Sequence, residues 1–225
     1  MTPLLAGVRV VALDFGGHGL SEHRNTYRYA DYARDLTTLL DSLDLDGVTV
    51  AGHSLGGYVA LAAAATRDER IRAVLAIDVK SDWSDENAAL AERSRSGAQR
   101  VDPDRGALLD RLARSVAPTE LTAAELESLG ERSLEQAEGG LRFRWDRRVL
   151  ATEPVEPFGF LAQVTCPVHV LAGAESTVMP PERARAFAAA IPGATVEIAD
   201  GAGHHVELDA PELVARRILE LARTR

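Results

Sequence analysis

Apolar positions along this chain follow two rhythms that take turns. A short β-branched run from Val8 to Leu13 predicts a strand, and apolar residues then recur at helical spacing between Tyr27 and Leu45, through Tyr32, Leu36, Leu39, Leu40 and Leu43. Val48 to Ala51 predicts a second strand, Leu55 to Thr66 an alanine-rich helix, and Ile71 to Val79 a largely apolar strand of the kind buried in a parallel sheet. From Ser81 to about Phe160 the texture changes to charged, alanine-rich helical stretches around Asn87, Leu108 and Ala124, broken by Gly97, Pro103, Pro118 and Gly139-Gly140. The alternation then resumes with a strand at Val168–Ala172, a helix at Glu182–Ala190, a strand at Ala194–Ile198 and a closing helix at Pro211–Arg223. Strands alternating with helices predict an α/β fold, a mostly parallel sheet flanked by helices. The expected organisation is a core formed by residues 1–80 and 161–225, with an inserted helical lid at 81–160.

Composition narrows the classes. A length of 225 residues with 46% hydrophobic content is enough for one sizeable core. The net charge is −9 and the 25 basic residues are scattered, which argues against nucleic acid or an anionic membrane as partner and favours a small-molecule substrate. Cys166 is the only cysteine, so an internal disulfide is impossible. The start, Met1-Thr2-Pro3-Leu4-Leu5, does not read as a signal peptide, and no apolar stretch is long enough to span a bilayer. The expected address is the cytoplasm.

The chemistry centres on Gly52-His53-Ser54-Leu55-Gly56, which sits where a strand stops and a helix starts. That is the setting of a nucleophile elbow, in which a serine is turned sharply out of a sheet and glycines make room on either side of it. Ser54 is the candidate nucleophile, and it needs a base to take its proton. His204 fits that need, because Gly201 and Gly203 let a loop beyond the last strand bend back over the sheet edge. His53 and His18 read as packing and turn residues, while His23 and His169 carry no signal.

These blocks resemble the α/β-hydrolase superfamily. Leu13-Asp14-Phe15-Gly16-Gly17-His18-Gly19-Leu20-Ser21 is similar to the family's turn after its fourth strand. Gly52 to Gly57 is similar to its elbow, and Gly201-Ala202-Gly203-His204-His205 with Asp209-Ala210-Pro211-Glu212 is similar to its catalytic-histidine loop. The resemblance implies a Ser54–His204 pair oriented by an acid. At the family's usual Gly-x-x-Asp motif, however, this chain reads Gly173-Ala174-Glu175-Ser176. Some haloalkane dehalogenases take the acid from the end of the strand after the elbow helix, and here that strand ends in Asp78. Asp78 is therefore the first choice; Glu175, Asp82 or no acid at all are the alternatives.

A second departure lies at the amino terminus. Members of the family begin with further strands and a His-Gly loop ahead of the block found here at Val8. The expectation is a shortened form of a longer hydrolase, with a natural minimal variant as the alternative. The absent strand would lie between the strand at Val8–Leu13 and the elbow strand, and the absent loop would supply one of the two oxyanion donors. The Leu55 backbone N–H would supply the other. A serine nucleophile implies an acyl-enzyme, hence an ester, thioester, lactone, amide or C–C diketone substrate, without metal or organic cofactor. Trp83, Phe143, Trp145, Phe158 and Phe160 are the expected aromatic lining of the pocket, with Trp83, Trp145 and Phe158 foremost, and plain lid packing is the alternative. The competing reading is a non-catalytic binding or remnant protein.

Overall fold

A computed structural model of the chain describes residues 2–80, 99–151 and 158–223. Two compact units are present: among the described residues, the first comprises 2–13, 29–80 and 158–223, and the second 14–28 and 99–151.

The first unit is built on a four-stranded sheet. Its elements are α1 (Tyr29–Ser42), β1 (Val48–His53), α2 (Leu55–Ala65) and β2 (Ile71–Ile77). The second unit, taken up below, holds α3 (Arg105–Val116), α4 (Ala123–Ser133), β3 (Leu134–Ala137) and β4 (Gly140–Phe143). The first unit resumes with β5 (Val168–Gly173), α5 (Pro181–Ala189), β6 (Thr195–Ala199), the single turn α6 (Val206–Asp209) and α7 (Pro211–Arg223). The strand order is β1-β2-β5-β6 and every pairing is parallel. The α/β expectation holds in this unit.

Burial explains the sequence texture of each strand. β2 is central and its run Ile-Arg-Ala-Val-Leu-Ala-Ile is buried at every position but Arg72, as a strand covered by helices on both faces requires. On one face Leu75, Ile77, Leu171 and Ala199 pack with Ala202, Val206 and Val214, closed over by Leu213, Ile218 and Leu221 of α7. α2 is apolar on all sides and buried from Gly57 to Ala65 except at Ala62, so it is an interior helix.

One predicted strand does not form: among the described residues Val8–Leu13 joins no ladder, and Val10 and Val11 are 47% and 41% exposed. β-Branched content favours a strand only where a neighbouring ladder accepts it. Among the described residues β1 pairs with β2 alone, which leaves β1 at the edge of the described sheet and only partly buried along its length.

In the second unit, α3 is capped by Asp104, whose side chain accepts from the Gly106 N–H, and α4 begins with a Thr122/Glu125 capping box. Leu108, Leu109 and Leu134 form its small core with Leu126, Leu141 and Phe143. The helical expectation is incomplete here, because β3 and β4 make an antiparallel hairpin turned at Glu138-Gly139, with Gly139 and Gly140 both at positive φ. Residues 14–28 belong to this unit. Tyr27 Oη donates to Asp146 Oδ2 at 2.7 Å, the Asp146 N–H donates to the Gly17 carbonyl at 2.7 Å, and Arg148 bonds the same carboxylate.

Candidate active site

Parallel register brings the candidate residues to one end of the first unit's sheet. His53 pairs with Ile77, Ile77 with Leu171, and Gly173 with Ala199. Ser54, Asp78 and the loops beginning at Ala174 and Asp200 therefore all leave the sheet at its carboxyl edge, where open α/β sheets place their ligands.

Ser54 turns the chain between β1 and α2 with φ 50° and ψ −114°, a strained backbone for a residue bearing a Cβ. Its N–H donates to the Ile77 carbonyl at 2.8 Å, which ties the turn to the end of β2. The glycines around it are not equivalent. A Cβ on Gly52 would collide with the Gly56 backbone, and one on Gly57 would fall 2.6 Å from Val79 Cγ2 and 2.8 Å from the Gly52 carbonyl oxygen. Gly56 faces open space. The expectation that only glycine fits on either side of the serine thus needs correcting: the steric demand falls on Gly52 and Gly57, because β1 and α2 cross closest there. Leu55 heads α2, where first-turn N–H groups lack intrahelical acceptors.

Asp78 is fully buried at the end of β2, with φ 43°. Its N–H donates to the Leu171 carbonyl at 2.7 Å, while its Oδ2 accepts from the Gly173 N–H at 3.0 Å. Its Oδ1 accepts from Ser176 Oγ at 2.7 Å and lies 2.7 Å from His204 Nδ1. Glu175, the alternative acid, is exposed and contributes a backbone N–H to the Ala202 carbonyl at 2.9 Å. Asp82 lies outside the described residues.

Ser176 occupies the slot where an aspartate was expected, and its chemistry is legible only in three dimensions. Its Oγ accepts from the N–H groups of Val178 and Met179, at 3.2 and 3.0 Å. With its lone pairs so engaged, the hydroxyl proton is left to point at Asp78. A serine that cannot serve as the acid instead holds the carboxylate that faces His204.

The His204 loop is pinned by two groups that sequence reading passed over. His53 Nε2 donates to the His204 carbonyl oxygen at 2.9 Å, and the Gly203 N–H donates to Asp209 Oδ2 at 2.8 Å. Burial pulls the His53 imidazole down to about 4 against the upward influence of Glu207, so it is neutral near pH 7. Burial pushes Glu207 up, but His205 and His53 outweigh it and hold the carboxyl below its ordinary range. No hydrogen bond joins Ser54 Oγ to the His204 ring among the described residues; catalytic contacts of this type often tighten only with substrate bound.

Of the expected pocket aromatics, Trp145 and Phe158 belong to different units. Trp83 lies outside the described residues. Trp145 belongs to the second unit, bridged through its backbone to His18, with its ring 6.5 Å from that of Phe143. Phe158 belongs to the first unit, where its ring stacks edge-on to Tyr58 at 5.9 Å and to Phe187 at 5.2 Å. Phe160 also meets Tyr58, at 5.2 Å.

No helix among the described residues is long and apolar enough to cross a membrane. The family model for the alpha/beta hydrolase fold matches residues 1–211. The chain is 29% identical to 2-(acetamidomethylene)succinate hydrolase of Mesorhizobium japonicum over 92% of its own length and 76% of that protein's. It is 26% identical to the esterase YbfF of Escherichia coli over 93% of its length and 80% of that protein's. Its fold resembles the crystal structure of E-2-(acetamidomethylene)succinate hydrolase with a TM-score of 0.81 at 27% identity, covering 94% of this chain and 80% of that one. A thioesterase domain from the curacin biosynthetic pathway shares the fold with a TM-score of 0.77 at 21% identity, over 92% of this chain and 79% of that one. The chain belongs to the α/β-hydrolase fold family, and its kinship with hydrolases and esterases over most of its length makes it an enzyme of the hydrolase type.

Proposed function

We propose that the chain is a serine hydrolase that cleaves a small acyl substrate, an ester, thioester, lactone or C–C diketone, through an acyl-enzyme. The observation that supports this most directly is the buried Asp78 carboxylate 2.7 Å from His204 Nδ1, at the sheet edge where Ser54 stands in a strained elbow. In this reading His204 takes the Ser54 proton as the hydroxyl attacks the carbonyl carbon, and Asp78 holds the imidazole in the tautomer that leaves Nε2 free to accept it. The tetrahedral oxyanion is met by the Leu55 N–H, with the α2 dipole behind it. Collapse expels the leaving group, protonated by His204. Water activated by the same histidine then attacks the Ser54 ester, and the acid is released. Ser176, Gly173 and Asp209 position these groups without touching substrate. The substrate is a soluble small molecule, the site is expected to work without a cofactor, and the expected address is the cytoplasm.

The test is hydrolysis of p-nitrophenyl acetate followed from the first turnover. The reading predicts release of about one equivalent of nitrophenolate in an initial phase that His204→Ala and Ser54→Ala both abolish. Equal hydrolysis by the wild type and both variants would contradict it.

A further inference from the structure

Beside the Ser54 and His204 constellation, three donor groups converge that the proposed reaction does not use. His53, His205 and Glu207 each offer a ligand atom, and these atoms all lie within 4.8 Å of one another. The tautomer of His53 decides what the cluster can hold. Its Nε2 faces the His204 carbonyl oxygen at 2.9 Å, an acceptor only, so the ring proton sits there and Nδ1 carries a lone pair. Glu207 Oε1 lies 3.5 Å from that nitrogen. Two acceptors thus face each other with no proton of their own to share. On the other side of the same oxygen stands His205 Nδ1, at 3.2 Å. The second carboxylate oxygen, Glu207 Oε2, is buried and has no hydrogen-bond partner among the described residues.

We propose that His53, His205 and Glu207 form a binding site for a divalent transition metal of the zinc class. Two imidazole nitrogens and one carboxylate are a ligand set that zinc takes, and bonds of about 2.0–2.2 Å would space tetrahedral donors roughly 3.3–3.5 Å apart. Two of the three separations, 3.5 and 3.2 Å, lie at or close to that spacing, and the third, between the two histidines, is within 4.8 Å. The three side chains keep 22%, 21% and 28% of their surface, which leaves room for water as a fourth ligand. The ion would resolve the confrontation between His53 Nδ1 and Glu207 Oε1. Because the other nitrogen of His53 holds the His204 carbonyl, an ion here would brace the loop that carries His204 against the end of β1. The site takes no step in acyl transfer, so it stands or falls independently of the hydrolase reading.

The experiment is calorimetric titration of the chelator-stripped protein with Zn²⁺ alone, with Glu207→Gln and His205→Asn as variants and His169→Asn as control. His169 is the control because it also lies near a carboxylate, Glu197, at 3.3 Å. The expected result is one Zn²⁺ per chain, weakened at least tenfold by each of the two ligand variants and unchanged by the control. Co²⁺ would then give the visible absorption of a tetrahedral site in the wild type and not in Glu207→Gln. If one variant fails to fold, the other and the Co²⁺ spectrum decide. Zn²⁺ affinity unaltered in the variants, or no binding and no Co²⁺ band in the wild type, would overturn the proposal.

Discussion

At the scale of single residues, the carboxylate facing His204 is held without the aspartate expected after β5. Asp78 does not stand alone: its oxygens accept from Gly173, Ser176 and face His204. Asp78→Asn should keep the geometry, favour the wrong imidazole tautomer and cut kcat by about 10⁴-fold. Ser176→Ala removes one hydrogen bond to a charged group, worth about 1.5–3 kcal/mol, and should lower kcat by roughly 10- to 100-fold with KM unchanged. Ser176→Thr, which keeps the hydroxyl, should restore most of the rate; a Thr variant as slow as Ala would show that Ser176 acts only by packing. His53 gives a separate pH signature. Its imidazole titrates near 4 when folded and near 6.5 when unfolded, so between those values the unfolded chain binds more protons. Stability is therefore highest above about pH 6.5 and falls as pH drops toward 4, by up to about 3 kcal/mol from this group. In chemical denaturation, His53→Gln should flatten that part of the profile. An identical slope in both proteins would contradict the burial argument. Asp78 came from the family resemblance, as the residue ending the strand after the elbow helix, and that strand was readable as a buried apolar run. Ser176 was not legible, because its partner is 98 positions away and its role depends on two backbone donors that no residue pattern encodes.

At the scale of elements, apolar runs located the strands that became buried, and they misled where the strand found no neighbour. Ile71–Ile77 and Val168–Gly173 are interior and were readable to within a residue or two. Val8–Leu13 has the same β-branched texture and forms no strand, since its hydrogen-bonding groups meet no ladder. The hairpin at Leu134–Phe143 escaped notice because Gly139-Gly140 reads equally as a helix break and as a turn. The elbow allows a finer test. Gly57→Ala forces a methyl group against Val79 and the Gly52 carbonyl, and should destabilise the chain by about 1–3 kcal/mol in urea unfolding. Gly56→Ala meets open space inside a helix, where alanine is the better former, and should be neutral or slightly stabilising. Equal destabilisation by the two would refute the close-crossing explanation.

At the scale of the whole molecule, the fold, the order of the motifs and the family agree, and among the described residues β1 lies at the edge of the sheet. Nucleophilicity can be read without knowing the substrate. The decisive measurement is the intact mass of the protein after treatment with a fluorophosphonate, run beside Ser54→Ala and Asp78→Asn. The account predicts a single adduct on the wild type, none on Ser54→Ala and much slower labelling of Asp78→Asn. A cooperatively folded wild type that takes no adduct, or an adduct that persists in Ser54→Ala, would contradict the claim that Ser54, His204 and Asp78 work as one unit.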